Sequence, residues 1–117
     1  MIKSQHEIDV MQVACDITEQ AFRAALAQTK PGQREYELEA LITYEYLRRG
    51  AQGHAYNPII ASGANACILH YNDNADIMKD GDIVLIDVGA DYANYAADLS
   101  RSFPVNGRFT ARQRQVY

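Results

Sequence analysis

Apolar residues in the first part of the chain recur at the spacing of an amphipathic helix. They stand three, four or seven positions apart: Ile8, Met11, Cys15 and Phe22. This pattern predicts a helix from about Gln5 to Gln28, and Ser4 with Glu7 fits the capping box that begins many helices. A second helix is predicted from about Glu35 to Arg49, because Gly50 suits the left-handed position that follows a helix.

After Gly53 the pattern changes to short β-type runs separated by turn residues. The runs are AYNPIIASG, ACILHY, IVLIDVGA and YAADLSRSFPV, and a last helix is expected after Thr110. Helices that precede antiparallel strands are typical of the α+β class. We therefore expect one domain, residues 1–117, in which two helices pack on an antiparallel sheet.

Two carboxylates, Asp87 and Asp98, interrupt the apolar runs of the last hairpin. If Tyr92 and Ala93 form a two-residue loop, Asp87 lies directly opposite Asp98 on one face, and a four-residue loop over 91–94 gives the same pairing. Carboxylates on opposed residues, whose Cβ atoms are about 4.5–5.5 Å apart, repel each other. A shared proton, a basic side chain or a divalent cation would relieve the repulsion. A hard divalent cation fits carboxylate ligands best, and two solvated aspartates remain the alternative.

The overall composition argues against several kinds of partner. The chain has 117 residues, of which 48% are apolar, and a net charge of −4. It has no long basic cluster, so no nucleic-acid partner is expected, and no apolar run near the ~18 residues of a membrane span. Cys15 and Cys67 lack disulfide or zinc-site spacing and are interpreted as reduced thiols of a cytoplasmic protein.

Gly89 either relieves crowding beside a metal site or marks a bulge.

Two segments carry a family resemblance. The segments "DGDIVLIDVGADYANYAADLSRSFPVNGRFT" and "SGANACILHY" resemble the pita-bread metallopeptidases. Within that family the Xaa-Pro aminopeptidase branch is the most similar, followed by the prolidase branch. The resemblance covers the whole chain and implies the N-terminal half of a pita-bread (creatinase/aminopeptidase) catalytic domain.

The resemblance also implies a set of site residues. In this family two Asp, one His and two Glu hold two divalent metal ions, usually manganese in this branch, with cobalt or zinc as alternatives. The two Asp match Asp87 and Asp98, and Asp98 would bridge both ions. His70 matches a histidine that lies beside the substrate and binds it or moves protons. Apart from the resemblance, the position of His54 just before the first strand makes it a further candidate substrate-binding residue.

The implied activity is release of the N-terminal residue from peptides with proline second. The other three metal ligands belong to the second half of the fold, which lies outside this sequence. We therefore expect weak or no metal binding and no activity from the chain alone. A homodimer or a complementing C-terminal half would complete the site. The alternatives are a non-catalytic pita-bread binding module, a prolidase and a methionine aminopeptidase.

Overall fold

The computed structural model describes residues 2–117, and the described chain folds into helices and short antiparallel strands. The helices are α1 (Gln5–Gln28), α2 (Glu35–Arg48) and α3 (Ala111–Val116). The strands are β1 (Gly53–His54), β2 (Ile59–Ser62), β3 (Ile83–Val88), β4 (Ala90–Tyr92), β5 (Tyr95–Ala96) and β6 (Leu99–Pro104), and a 3₁₀ helix covers Gly63–Cys67. The α+β class is confirmed.

The helix ends follow local signals in the sequence. The hydroxyl of Ser4 accepts a hydrogen bond from the Glu7 amide at 3.2 Å, and the Ser4 amide donates to the Glu7 carboxylate at 3.2 Å. This capping box starts α1 as predicted. Gly50, which follows the C-cap residue Arg49 of α2, has a φ of +90°. The Thr110 hydroxyl caps α3 by accepting a hydrogen bond from the Gln113 amide at 3.1 Å.

The strands form two sheets rather than the single sheet expected. One sheet has the order β1-β4-β5 and the other the order β2-β3-β6. The long hairpin passes from one sheet to the other at Gly89 and, on its return, at Ala97 and Asp98. α1 packs on β4 and β5, and α2 packs on β1 and β2. The helices therefore cover one side of both sheets.

The strand expected over ACILHY is wrong. Its first residues belong to the 3₁₀ helix, and Leu69 and His70 form a turn. His70 has a φ of +55°, which lies outside the extended region. Side-chain hydrogen bonds to α2, rather than a strand ladder, hold this segment, as described below.

The turn of the long hairpin also differs from the prediction. Ala93 and Asn94 form the two-residue turn, and Tyr92 pairs with Tyr95. Both turn residues have positive φ, 49° and 67°, which matches the right-handed twist of the flanking strands. The predicted loop of Tyr92 and Ala93 is therefore wrong by one residue.

This shift changes the residue that pairs with Asp87 across the hairpin, but Asp87 and Asp98 stay on the same face of the sheet. Asp87 pairs with Ser100 of β6 instead of Asp98. Asp98 lies two residues before Ser100, and side chains alternate with a period of two. The two aspartates are therefore diagonal neighbours on one face.

The core lies between the helices and the sheets. Val84, Ile86 and Val88 of β3 are buried, whereas the alternate residues of the strand are only partly covered. Burying a side chain of this size stabilises the fold by about 1.5–3 kcal/mol. Asp87 thus stands on the sheet face that the helices leave open. Within residues 2–117, no helix combines the length and apolar character of a bilayer-spanning segment.

Candidate active site

The phenolic oxygen of Tyr56 lies between the two carboxylates of the hairpin. It is 2.7 Å from Oδ1 of Asp87 and 3.1 Å from Oδ1 of Asp98. Asp87 is half-buried on β3, Asp98 is exposed between β5 and β6, and Tyr56 belongs to the connection between β1 and β2. Three separate segments therefore bring three oxygen atoms to one place.

Tyr56 remains a neutral phenol in this position. Burial raises its pKa above the ordinary value, and the hydrogen bond to Asp87, the charge of Asp87 and the nearby Asp98 raise it further. A neutral phenol has one proton, which it can donate to only one carboxylate at a time. The shorter distance favours Asp87, so the oxygens of Tyr56 and Asp98 face each other without a proton. A bound cation would relieve that contact.

Gly89 provides the space that this arrangement needs. A Cβ atom at this position would lie 1.8 Å from the carbonyl oxygen of Ala97 and 3.0 Å from the ring of Tyr56. No side chain fits at such distances, so only glycine allows the hairpin strands and the tyrosine to approach this closely. Of the two interpretations of Gly89, crowding beside the site is the one that the geometry supports.

His70 shares a cavity with the two aspartates. The cavity has a volume of about 360 Å³ and is lined by Tyr56, Asn57, Ile59, His70, Asn72, Asp87 and Asp98. His70 is exposed at the rim, where it is accessible to a ligand. The structure thus brings together three of the four residues singled out from the sequence, while their chemical roles remain predictions.

His54 lies apart from this cavity. Its Nε2 atom is 2.7 Å from the Thr43 hydroxyl on α2, and its ring packs edge-on against Tyr46 with a centroid distance of 5.0 Å. The Thr43 hydroxyl donates to the Glu39 carbonyl at 2.8 Å, so Nε2 carries the proton donated to Thr43. Nδ1 is buried without a partner among the described residues. These contacts favour a packing role, and substrate binding by His54 remains an untested prediction.

Tyr56 was missed in the sequence analysis. It stands in the stretch HAYNP, 31 residues before Asp87 in the chain. The chain has eight tyrosines, and nothing in the spacing distinguishes this one. Only the register of β1 and β2 against the hairpin places its hydroxyl at the aspartates.

The donor atoms suit a hard divalent cation but do not complete its coordination. Two carboxylates and a hydroxyl are oxygen ligands of the kind preferred by magnesium, manganese and similar ions. Residues 2–117 contain no cluster of three or more His, Cys, Asp or Glu side chains that could hold a metal ion. Asp87 and Asp98 therefore fit part of a metal site, and further ligands are needed.

The α+β fold and the convergent carboxylates define a candidate metallopeptidase. The comparison with known families agrees, since metallopeptidase family M24 matches residues 9–117. The chain belongs to this family.

The relatives of the chain are consistent with this assignment. The chain is 49% identical to the Xaa-Pro aminopeptidase of Escherichia coli over 117 residues, which is 26% of that protein. It is 42% identical to human Xaa-Pro aminopeptidase 3 over 117 residues, or 23% of that protein. The chain thus spans about a quarter of the length of the curated relatives it matches.

The solved structures confirm the predicted half of a pita-bread fold. The zinc-substituted Escherichia coli aminopeptidase P in complex with product superposes on the chain with a TM-score of 0.96 at 50% identity. The match covers 98% of this chain and 26% of that one. Pseudomonas aeruginosa aminopeptidase PepP gives a TM-score of 0.96 at 45% identity over the same shares of the two chains.

Proposed function

We propose that residues 1–117 form the first half of a metallopeptidase catalytic domain that releases the N-terminal residue from peptides with proline second. The observation that carries the proposal is the convergence of Asp87 and Asp98 on one hydroxyl oxygen. The names of the relatives, Xaa-Pro aminopeptidases from bacteria and mammals, support the choice of substrate.

Asp87 and Asp98 would hold the metal ions of this site, with Asp98 shared between two of them. Manganese is the proposed metal, and cobalt or zinc are alternatives. When bound, such ions supply an activated water molecule and polarise the scissile carbonyl. The protein contributes the fixed placement of the two carboxylates, and the Tyr56 hydroxyl orients Asp87 by donating a hydrogen bond to it while lying 3.1 Å from Asp98.

His70 is the proposed contact to the peptide. Its imidazole stands at the rim of the same cavity as the carboxylates. There it can donate a hydrogen bond to a peptide carbonyl or transfer a proton near the reacting bond. His54 is left out of this proposal because its ring is held against α2.

The site requires ligands from outside the described residues. Two carboxylates leave most coordination positions to water, so we expect weak or no metal binding and no activity from this chain alone. A complementing C-terminal half or a second copy would supply the missing ligands. A cavity of about 370 Å³ beside Asp87 is lined by Ile59 and Leu85 of the open sheet face and by the exposed Leu69. These apolar side chains form the proposed contact surface for the complementing half or the second copy. A clean monomer in sedimentation at micromolar concentration would exclude the homodimer.

A chimera tests the proposal directly. Residues 1–117 replace the matched segment of the Escherichia coli relative, and hydrolysis of Xaa-Pro peptides is measured with manganese. We expect cleavage of Xaa-Pro but not Xaa-Ala bonds, and a loss of about 100-fold or more in kcat/KM in Asp87→Asn and in Asp98→Asn. Asp16→Asn, an exposed aspartate of α1, serves as the control and should leave activity unchanged.

Other outcomes of the same assay identify the alternatives. Preference for Xaa-Pro dipeptides over longer peptides would indicate a prolidase, and release of N-terminal methionine without a requirement for proline would indicate a methionine aminopeptidase. The absence of a third metal ligand among residues 2–117 is the one observation that favours a non-catalytic binding module. Peptide binding by the chimera without hydrolysis and without metal uptake would support that module and contradict the peptidase.

A further inference from the structure

Glu35, the first residue of α2, has a fully buried carboxylate. Oε2 accepts hydrogen bonds from the Ser62 amide at 2.7 Å, the Ser62 hydroxyl at 2.9 Å and the Asn65 side chain at 3.3 Å. Oε1 accepts from the Tyr71 hydroxyl at 2.7 Å and the Asp76 amide at 3.0 Å. All five donors come from the segment 62–76, which leaves β2 and returns toward β3.

The chemistry of these contacts makes Glu35 difficult to replace. None of the five donors is a Lys, Arg or His side chain, so the carboxylate is stabilised only by neutral N–H and O–H groups. Each oxygen accepts at least two of these bonds. Glutamine would turn an N–H group toward one set of donors and leave them unsatisfied.

A second buried side chain holds the same segment near its end. Asn74 is 1% exposed, and its amide nitrogen donates to the Pro58 carbonyl at 3.0 Å. Its side-chain oxygen accepts from the Ile60 amide at 2.9 Å. The segment is thus fixed at both ends, whereas Leu69 at its tip is 86% exposed.

His70 stands between the free tip and the buried anchor. Its φ of +55° is a conformation that few residues adopt without support from their surroundings. The next residue, Tyr71, is buried, and its hydroxyl donates a hydrogen bond to the Glu35 carboxylate at 2.7 Å. The backbone that carries His70 is therefore fixed on one side by the buried Tyr71.

We propose that Glu35 is a positioning residue for His70, since its buried carboxylate fixes the segment that places the imidazole at the cavity of Asp87 and Asp98. The inference rests on the proposed function, in which His70 contacts the peptide. A preplaced imidazole does not have to be ordered when the peptide binds, which favours productive geometry.

Histidine NMR on the metal-free chain tests the inference. The chain has three histidines, so ring-labelled protein gives one signal each for His6, His54 and His70. In Glu35→Gln we expect the His70 signal to shift or broaden while the His54 signal stays in place. The Ser62 and Asp76 amides should exchange with solvent about tenfold faster or more.

Two further variants keep the test decisive. Tyr71→Phe removes a single donor and should change the His70 signal in the same direction, and it decides the question if Glu35→Gln fails to fold. Glu45→Gln is the matched control, because Glu45 is a buried carboxylate of the same helix that bonds to Arg49 at 3.1 Å and not to the segment. Unchanged His70 signals in both Glu35→Gln and Tyr71→Phe would overturn the inference, as would an equal His70 change in Glu45→Gln.

A manganese arm separates this inference from the proposed function. Added Mn²⁺ should broaden the His70 signal of the wild-type chimera more than the His6 signal, because His70 shares the cavity of the two aspartates. Absence of this selective broadening would count against the metal site. The metal-free comparison would still decide whether Glu35 positions His70.

Discussion

The backbone at Gly89 approaches Ala97 more closely than any residue with a side chain could. A Cβ at position 89 would lie 1.8 Å from the Ala97 carbonyl oxygen. The contact lies where the hairpin passes between the two sheets. Gly89 follows Asp87 by two residues, and Ala97 directly precedes Asp98. The close approach is therefore part of what brings the carboxylates together.

Gly89→Ala tests this packing requirement. The added methyl group meets backbone rather than a flexible side chain, so we expect a loss of about 2–3 kcal/mol in the free energy of unfolding. Gly107→Ala is the comparison, because Gly107 has a φ of +77° but nothing within 4 Å of its Cβ position, and its cost should be about 1 kcal/mol. Urea denaturation measures both. Equal losses in the two variants would contradict the steric account.

Tyr56→Phe tests the role of the phenolic hydroxyl. The variant removes the atom that lies 2.7 Å from Asp87 and 3.1 Å from Asp98 and leaves the ring in place. Partners that orient metal ligands typically contribute 10–100-fold in affinity. We expect manganese affinity in the chimera to fall by about tenfold, measured by calorimetric titration. Tyr44→Phe, at an exposed tyrosine of α2, should bind manganese like the wild type, and unchanged affinity in Tyr56→Phe would refute this role.

Ala93→Gly should stabilise the hairpin. Ala93 has a φ of +49°, a conformation that costs an alanine about 1 kcal/mol relative to glycine. We expect the free energy of unfolding to rise by about 0.5–1 kcal/mol in thermal or urea denaturation. Ala27→Gly makes the same change at an exposed position of α1 and should have the opposite sign. A loss of stability in Ala93→Gly would argue against the observed turn.

The burial of His54 predicts that the free energy of unfolding depends on pH. Burial lowers the pKa of His54 below its usual value, and the charge of Glu39 opposes this only in part. The unfolded chain, with a histidine pKa of about 6.5, therefore binds the proton first as the pH falls. The free energy of unfolding should be highest above about pH 6.5 and decrease below it.

Unfolding curves measured between about pH 5 and about pH 8 check this dependence, because this range spans the usual histidine pKa of about 6.5. His54→Gln should flatten the profile, because glutamine does not titrate and the buried imidazole with the lowered pKa is then absent. His6→Gln, at an exposed position of α1, should keep the wild-type slope. A profile that is equally steep in His54→Gln would assign the pH dependence to another group.

The helices could be predicted from the sequence because their signals are local. The capping box of Ser4 and Glu7 and the glycine at position 50 act within a few residues of the helix ends. The fold class followed from the order of these elements. The turn of the hairpin was misplaced because alanine is an uncommon residue at positive φ, so Ala93 gave no indication of its position in the turn.

The site was only partly predictable for a different reason. The face shared by Asp87 and Asp98 follows from alternation along the strands, which a two-residue shift in register does not change. Tyr56 and Glu35 act over 31 and 27–41 residues of sequence separation. No local pattern encodes such contacts, and a buried glutamate at the first turn of a helix resembles an ordinary helix-dipole partner.

The central claim is that Asp87 and Asp98 jointly hold divalent metal ions, and manganese stoichiometry in the chimera tests it most directly. The account predicts about two ions per chain for the wild type, loss of one ion in Asp87→Asn, and loss of both in Asp98→Asn, with Asp16→Asn unchanged. Wild-type stoichiometry and affinity in both Asp87→Asn and Asp98→Asn would contradict it.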